Sequence, residues 1–204
     1  MPLIVERNEA TFYLGIWKIS EDEAQLRTLL EPNAAENERM RHISALWRRK
    51  EWMASRIMAS QFFDSKTTIS YDAYGRPVVD DRAERISISH SKRFVAVLIS
   101  AHFKPTIDIE LPKQKIRSIA HKFINDRERV LFDCRKVFNL YRIWCAKECA
   151  FKHHHLGGVD FREHILIEPE GEQLKATFHK EEELFTLRLM FETNDDYVLC
   201  FNNQ

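Results

Sequence analysis

The strongest constraint on the fold is one order of elements that occurs twice in the chain. Apolar residues recur at helical spacing from residue 34 to residue 63, and strand-like runs follow at 86–90 and 94–99. A second helical stretch covers about 137–155, and Gly157-Gly158 ends it. Three or four strand-like runs come after those glycines: 164–168, 173–179, 184–192 and 197–201.

This order predicts an α+β fold of two similar halves, each a long helix packed on a small antiparallel sheet, so that the single chain is pseudo-dimeric. The halves are expected to meet near residue 105, which gives parts 1–105 and 106–204. No low-complexity linker separates them, so we expect them to pack tightly. No residue-level repeat accompanies the pattern, and duplication therefore rests on the order of elements alone.

Local signals complete the first part. The β-rich run 11–17 predicts a strand. Ser20 followed by Glu23 predicts a capping box that opens a short helix through about Leu30. The Gly and Pro of 74–77 predict a turn.

The charges of the chain are balanced, with 31 basic and 31 acidic residues among 204. That balance argues against broad binding to nucleic acid or to a membrane surface. There is no apolar run of membrane-spanning length and no signal-peptide pattern at the start, so we expect a cytoplasmic protein. The four cysteines are expected to be reduced. Cys145 and Cys149, one helical turn apart, are expected to be buried packing residues, and a metal or redox pair is the alternative.

Two short runs far apart in the chain carry the residues of a candidate metal site. The run 106–110 alternates apolar and acidic residues, so a strand there presents Asp108 and Glu110 on one face. In an apolar helical stretch further on, Glu148 is followed one turn later by Lys152, on the same face. Three hard oxygen ligands near a lysine suit a Mg²⁺ ion bound to a phosphorylated substrate.

These runs resemble those of the 4′-phosphopantetheinyl transferases, specifically the larger class typified by the surfactin-synthetase activating enzyme. The resemblance covers about residues 36–160 and rests on five motifs in order: Arg56, Tyr74–Pro77, Ser89–Ser91, Thr106–Glu110 and Trp144–Lys152. Two residues depart from the family pattern: Thr106 replaces the usual glycine, and Cys149 replaces the usual Ala or Ser.

The resemblance implies a reaction in which a serine of an acyl or peptidyl carrier protein attacks the β-phosphate of coenzyme A. The serine takes the phosphopantetheine arm, and 3′,5′-ADP leaves. Asp108, Glu110 and Glu148 would hold Mg²⁺, or Mn²⁺, against the pyrophosphate. Glu148 would also activate the serine, directly or through a metal-bound water, and Lys152 would stabilise or protonate the leaving phosphate.

The resemblance also implies residues that bind coenzyme A. Arg56 and Arg76 would grip the 3′-phosphate or the adenine end, and Ser89 and His90 would contact a phosphate. Lys147 is a further candidate, although its direction differs from that of Glu148 by about 100° around the helix. The acidic carrier protein would be steered by basic residues after the acidic strand: Lys113, Lys115, Arg117 and Lys122. One chain with two halves can build the whole cleft, so a monomer is expected.

Plainer interpretations accompany these assignments. In these interpretations, Asp108, Glu110 and Glu148 are ordinary solvated surface residues, and Lys152 forms an i,i+4 pair with Glu148 on the helix surface. Trp144 is expected to pack in the core and not to contact a ligand. The run His153-His154-His155 is not predicted as a metal site, because consecutive histidines on a helix point in different directions. The main alternative function is a non-catalytic module of the same fold that binds coenzyme A or a nucleotide, favoured by Thr106 alone; a general interaction protein ranks last.

Overall fold

The computed structural model describes residues 3–154 and 156–204. The strands in that part of the chain are β1 (Leu3–Asn8), β2 (Tyr13–Lys18), β3 (Ile69–Tyr71), β4 (Pro77–Val79), β5 (Arg85–Ser91), β6 (Phe94–Ser100), β7 (Ile107–Glu110), β8 (Ile165–Glu170), β9 (Gln173–Lys180), β10 (Glu183–Thr193) and β11 (Val198–Phe201). The helices are α1 (Glu23–Leu30), α2 (Ala34–Arg41), α3 (Leu46–Phe62), α4 (Ile116–Ile119), α5 (Asp126–Leu131) and α6 (Val137–His154), and a 3₁₀ turn covers Ala120–Lys122.

The strands form two sheets, each built from one side of residue 105. The first sheet has the order β1-β2-β6-β5-β4-β3 and the second has the order β7-β11-β10-β9-β8. All neighbouring strands are antiparallel. This confirms the predicted α+β class, the hairpin of β5 and β6, and the strands that follow α6. The similarity of the two halves stays a prediction, since the sheets differ in strand number and in order.

Alternation along the central strands stacks the two sheets face to face. Val95, Val97 and Ile99 of β6 join the core under α3, whereas Phe94 and Leu98 face the second sheet. The cluster between the sheets has these fully or nearly fully buried members: Leu14, Ile16, Phe94, Ala96, Leu98, Ile107, Ile109, Tyr197, Leu199 and Phe201. Since burying one such large apolar side chain contributes roughly 1.5–3 kcal/mol, this layer binds the two sheets firmly.

The long helices α3 and α6 cover the two outer faces. Gly15 of β2 allows α3 to approach closely, because a Cβ at this position would lie 2.8 Å from Cε of Met58. On the other side, Val198 and Cys200 of β11 belong to the core that α6 closes. The layers therefore follow the order α3, first sheet, second sheet and α6.

The cysteines of helix α6, Cys145 and Cys149, pack in the core, as predicted. The four cysteines are free. Sγ of Cys149 lies 3.3 Å from the carbonyl oxygen of Cys200, and Sγ of Cys145 lies 3.9 Å from that of Val198. Within the described ranges, neither α6 nor another helix combines the length and the apolar composition needed to cross a membrane.

The helix predicted over 34–63 is wrong at its centre. The chain there forms α2 and α3, with residues 42–45 between them. Nη1 of Arg49 donates to the carbonyl oxygens of Ile43 (2.8 Å) and Ser44 (3.1 Å). Its Nε and Nη2 bind the carboxylate of Glu23 at 3.0 and 2.9 Å. Arg49 thus satisfies carbonyl groups of the segment between α2 and α3, an interaction that helical spacing in the sequence does not show.

The predicted capping box of Ser20 and Glu23 is also displaced. Asp22 caps α1 instead, because its Oδ1 accepts from the amide of Gln25 (2.8 Å) and the Gln25 side chain accepts from the amide of Asp22 (2.9 Å). Three short or outer strands, β1, β3 and β4, were not predicted. Two of them have only three residues each, too few to show an alternating pattern.

Candidate functional site

The acidic strand β7 places two carboxylates where the sheets meet. Asp108 pairs with Cys200 and Glu110 pairs with Val198, both on β11. The alternating side chains Ile107 and Ile109 are fully buried between the sheets, so Asp108 and Glu110 lie on the opposite face of the strand, toward α6. The alternation predicted from the sequence is therefore confirmed.

Helix α6 adds a stripe of three half-buried side chains at four-residue spacing, Trp144, Glu148 and Lys152. Nζ of Lys152 donates to Oδ1 of Asp108 (2.8 Å) and to the carbonyl oxygen of Ile107 (2.7 Å). The indole Nε1 of Trp144 lies 3.4 Å from Oε1 of Glu110, and its ring packs edge-on against Phe123, 5.0 Å away. The stripe therefore faces the two acids of β7.

Negative charge exceeds positive charge in this cluster. Burial raises the pKa of Glu148 to about 7, and the neighbouring Asp108 and Glu110 add to the rise. Burial and the charge of Asp108 also raise the pKa of Glu110. The pKa of Lys152 is raised as well, because the attraction of Asp108 and of the other anions outweighs the effect of burial. Three carboxylates thus share one ammonium group.

The donor set fits a divalent cation. Oδ2 of Asp108 is buried and has no hydrogen-bond partner among the described residues, although Oδ1 has two. A bound cation would satisfy this oxygen and offset the negative charges of Asp108 and Glu110 beside Glu148. As they stand, the described His, Cys, Asp and Glu side chains form no closed group of three ligands. Three of these carboxylates would therefore have to move before they could bind one cation together.

A cleft of about 980 Å³ lies mainly against the first part of the chain and reaches Lys152 of this cluster. Its volume lies in the range of small-molecule sites. Seven cationic and three acidic residues line it: Arg48, Arg56, Arg76, Arg82, Arg85, Lys104 and Lys152 against Glu51, Asp72 and Glu84. The excess of positive charge suits a ligand that carries several phosphates.

Arg56 lies buried at the wall of this cleft, with a side chain only 2% exposed. Its guanidinium stacks 3.7 Å from the ring of Trp52 and donates to the carbonyl oxygens of Trp52 and Ile69, each at 3.2 Å. Burial lowers the pKa of Arg56. The terminal nitrogens of Arg56 also donate to Oγ of Ser55 (3.2 Å) and to the hydroxyl oxygen of Tyr71 (3.4 Å), so the protein holds the guanidinium in a fixed plane.

Arg76 reaches the cleft from the predicted turn over 74–77, which the structure confirms. Gly75 has a φ of +79°, a conformation that glycine adopts without strain. Oδ1 of Asp72 accepts from the amides of Tyr74 and Arg76, each at 2.9 Å, and its Oδ2 binds the Arg76 guanidinium at 2.6 Å. The turn and its acid thus fix the direction of Arg76.

His90 stands at the end of the cleft nearest the carboxylates, beside two residues that the sequence analysis missed. Nη1 of Arg48 lies 2.7 Å from Nδ1 of His90, and Oε2 of Glu51 lies 3.4 Å from the same atom. Partial burial and the charge of Arg48 lower the pKa of His90 to about 4, so the ring is neutral near pH 7. Burial raises the pKa of Glu51 to about 7.

A second open pocket of about 730 Å³ adjoins the first and shares Arg48 and His90 with it. Its lining includes Trp47, Lys92 and Glu110. Arg48 and Glu51 had a sequence signal, because they lie three residues apart on α3 and therefore on one face of the helix. Their pairing with His90 joins segments 42 residues apart in the chain, which spacing does not show.

Comparison with known proteins agrees with this geometry. A family model described as the 4′-phosphopantetheinyl transferase superfamily matches residues 106–201. This stretch resembles those transferases. It is a little under half of the chain, and it contains Asp108, Glu110, Glu148 and Lys152.

Curated relatives show the same likeness. The 4′-phosphopantetheinyl transferase AcpT of Salmonella typhi and the AcpT of Salmonella typhimurium are each 27% identical over 112 residues. The alignment covers 52% of this chain and 58% of each relative. The chain thus spans a little over half the length of the curated relatives it matches.

The structure does not bring Lys147 to the cleft. Its side chain is fully buried, and Nζ lies 2.8 Å from Oε1 of the equally buried Glu128. It also donates to the carbonyl oxygens of Phe161 (2.6 Å) and Ile165 (2.7 Å). Three acceptors satisfy the ammonium inside the core of the second part, so the assignment of Lys147 to coenzyme A lacks support in its position.

The histidine run after Lys152 packs against aromatic rings where it is described. His153 lies 4.8 Å from the ring of Phe185, and His154 stacks on Phe178 at 4.4 Å. Nδ1 of His154 is 2.8 Å from Oε2 of Glu183. The third member, residue 155, lies outside the described residues.

Thr106, the main departure from the family pattern, turns away from the cleft. It is 1% exposed, and its Oγ1 lies 3.4 Å from Oδ1 of Asn202. The same Oδ1 accepts from the amide of Thr106 at 2.7 Å. The side chain is therefore accommodated inside the protein and does not narrow the cleft.

Proposed function

We propose that this protein transfers the 4′-phosphopantetheine group of coenzyme A to a serine of an acyl or peptidyl carrier protein, with Mg²⁺, and releases 3′,5′-ADP. The observation that carries the proposal is a cationic cleft whose lining reaches Lys152, the lysine that binds Asp108 in the acidic cluster. That cluster lies in the stretch that matches the transferase superfamily. The presence of two sheets in one chain supports the larger class of these enzymes and a monomer.

Coenzyme A offers a 3′-phosphate and a diphosphate, and the cleft offers cations at both ends. Arg56 and Arg76 would hold the 3′-phosphate or the adenine end, and His90, with Arg48, would contact a phosphate nearer the carboxylates. Ser89 acts through Asp108, since its hydroxyl donates to Oδ1 of that residue at 2.8 Å. The diphosphate would thereby lie beside the acidic cluster.

Asp108, Glu110 and Glu148 would hold the Mg²⁺ ion, which supplies charge neutralisation at the diphosphate. Glu148 would also accept the proton of the carrier serine, a role that requires its carboxylate to lie within hydrogen-bond reach of the hydroxyl group. Lys152 would turn from Asp108 to the leaving phosphate and stabilise its negative charge.

The carrier protein would approach from the segment that follows β7. Lys113, Lys115, Arg117 and Lys122 are exposed there, and they follow Glu110 directly in the chain. Exposed cations steer an acidic partner and speed its association, with an effect that weakens as salt rises.

The proposal is tested by intact-mass spectrometry of an apo carrier protein incubated with this protein, coenzyme A and Mg²⁺. We expect the carrier to gain one phosphopantetheine group, and the gain to be lost with EDTA or with Glu148→Gln. Glu172→Gln, an exposed change on a hairpin turn far from the acidic cluster in sequence, is the matched control and should keep the activity. Tight binding of coenzyme A without transfer to any of several carriers would instead support the non-catalytic module.

A further inference from the structure

Three serines on alternating positions of β5 face the free edge of β7. Their hydroxyl oxygens accept hydrogen bonds from backbone amides of the acidic strand or the residue after it. The pairs are Ser87 with the amide of Ile107, Ser89 with that of Ile109, and Ser91 with that of Leu111, each at 3.2 Å. The hydroxyls thus take the place of a neighbouring strand along this edge.

Two of the three hydroxyls also donate to a carboxylate. Oγ of Ser89 donates to Oδ1 of Asp108, and Oγ of Ser91 donates to Oε2 of Glu110, each at 2.8 Å. A hydroxyl has a single proton, and since its oxygen already accepts from an amide, that proton is directed at the acid. The register is the same in both cases: the amide of one residue and the carboxylate of the residue before it bind one serine.

Ser87 makes the backbone contact without the acid. The residue before Ile107 is Thr106, whose hydroxyl lies near Asn202. Within the described residues, no hydrogen bond joins Ser87 to a carboxylate. Ser87 therefore joins the two sheets in the same way as Ser89 and Ser91, but it does not contact a candidate metal ligand.

The serine contacts determine which carboxylate oxygens remain available. Oδ1 of Asp108 is occupied by Ser89 and Lys152, which leaves the buried Oδ2 as the open position. Oε2 of Glu110 is occupied by Ser91, and Oε1 has only the long 3.4 Å contact with Trp144. Hydrogen bonds to charged acceptors are short and strong, so they hold each carboxylate in one orientation.

We propose that Ser91 and Ser89 are positioning residues that orient Glu110 and Asp108 for a divalent cation. The inference rests on the proposed function, since it assigns how that site is prepared. Partners in the second coordination shell commonly change metal affinity by about 10- to 100-fold when they are removed. Ser91 is the better residue to test, because Ser89 also belongs to the motif assigned to coenzyme A.

The test measures Mn²⁺ binding to the whole protein by electron paramagnetic resonance of the free ion, with saturating coenzyme A. The variants are Ser91→Ala, Ser91→Thr and Ser87→Ala, and the melting temperature of each is recorded. We expect Ser91→Ala to weaken Mn²⁺ binding about tenfold. Ser91→Thr retains the hydroxyl group that donates to Glu110. Its Mn²⁺ affinity should therefore stay within about twofold of that of the unchanged protein. Ser87→Ala should lower the melting temperature similarly to Ser91→Ala but leave the Mn²⁺ affinity unchanged.

The inference is overturned if Ser91→Ala keeps the Mn²⁺ affinity of the unchanged protein, or if Ser87→Ala weakens it equally. Either result would leave the proposed transferase activity intact, because that activity is read separately as transfer to a carrier protein. Failure of the unchanged protein to transfer the group, by contrast, would overturn the proposed function itself.

Discussion

Glu148 and Glu51 are two carboxyl groups whose pKa burial raises to a similar extent, in different surroundings. Burial raises the pKa of each to about 7. Glu148 has Asp108 and Glu110 nearby, whereas Glu51 lies 3.2 Å from Nη1 of Arg48. Only Glu148 is expected to bind a metal. The pair therefore separates the effect of a buried acid from the effect of a metal ligand.

For both residues, stability should fall as pH rises. The usual pKa of 4.5 applies in the unfolded chain, so between about pH 4.5 and pH 7 the folded protein binds more protons than the unfolded one. The free energy of unfolding decreases over that window. At about pH 8 without metal, Glu148→Gln and Glu51→Gln should each be more stable than the unchanged protein, by on the order of 2 kcal/mol. The gain should shrink near pH 5, as measured by urea unfolding.

Mg²⁺ with coenzyme A distinguishes the two variants. Ligands that bind only the folded protein raise its melting temperature. At about pH 8 they should stabilise the unchanged protein and Glu51→Gln, and should stabilise Glu148→Gln much less. If Mg²⁺ raised the melting temperature of all three proteins equally, Glu148 would not be a ligand.

Single residues differ in how far the sequence predicts them. Asp108 and Glu110 are predictable because strand alternation is local and their neighbours Ile107 and Ile109 are strongly apolar. The contact of His90 with Arg48 joins two distant segments through the packing of α3 on the first sheet. No local pattern specifies such a pair, and it appears only when the tertiary structure is known.

Helix α6 illustrates the same limit at the scale of an element. Its length and its stripe of Trp144, Glu148 and Lys152 follow from spacing along one helix. Lys147 was also predicted to belong to the site, because it is adjacent to Glu148 in the sequence. The partner of Lys147 is Glu128, whose carboxylate also caps α5 by accepting from Asn125 and binds the amide of Ile167 at 2.9 Å. That network ties three elements together and is invisible to periodicity.

Lys147 and Lys152 should therefore respond differently to replacement by methionine. Lys147→Met leaves the Glu128 carboxylate buried without its partner, which typically costs about 3–5 kcal/mol of stability. Lys152→Met acts on a half-buried lysine, so its loss of stability should be smaller, while its transfer rate should fall by more than about tenfold. Denaturant unfolding and the carrier transfer rate, both measured in the cold where the variants stay folded, test this contrast. If Lys147→Met were as stable as the unchanged protein but bound coenzyme A poorly, Lys147 would be a binding residue and not a structural one.

At the scale of the whole molecule, two sheets were predictable and their packing was not. The apolar run 94–99 indicates a strand buried on both faces, as β6 is. Which faces meet is decided by long-range complementarity among Phe94, Leu199 and Phe201. The site depends on that packing, because Arg56 and His90 come from the first sheet's side and Asp108 and Glu148 come from the second.

The shared core predicts that both parts of the chain unfold together. Separating the sheets would expose the apolar cluster between them and break the hydrogen bonds of Ser87, Ser89 and Ser91 to the edge of β7. Trp17 and Trp52 report on the first part and Trp144 on the second, so 5-fluorotryptophan labelling allows each part to be followed by ¹⁹F NMR during heating. We expect the native resonances to disappear at one temperature.

Phe94→Ala, which creates a cavity between the sheets at a cost of about 3–5 kcal/mol, should lower that temperature for all of the resonances. Met53→Ala, in the core under α3, should do the same, since the coupling does not depend on where stability is lost. A Trp144 resonance that stays native after those of Trp17 and Trp52 have melted would show that the second part folds independently.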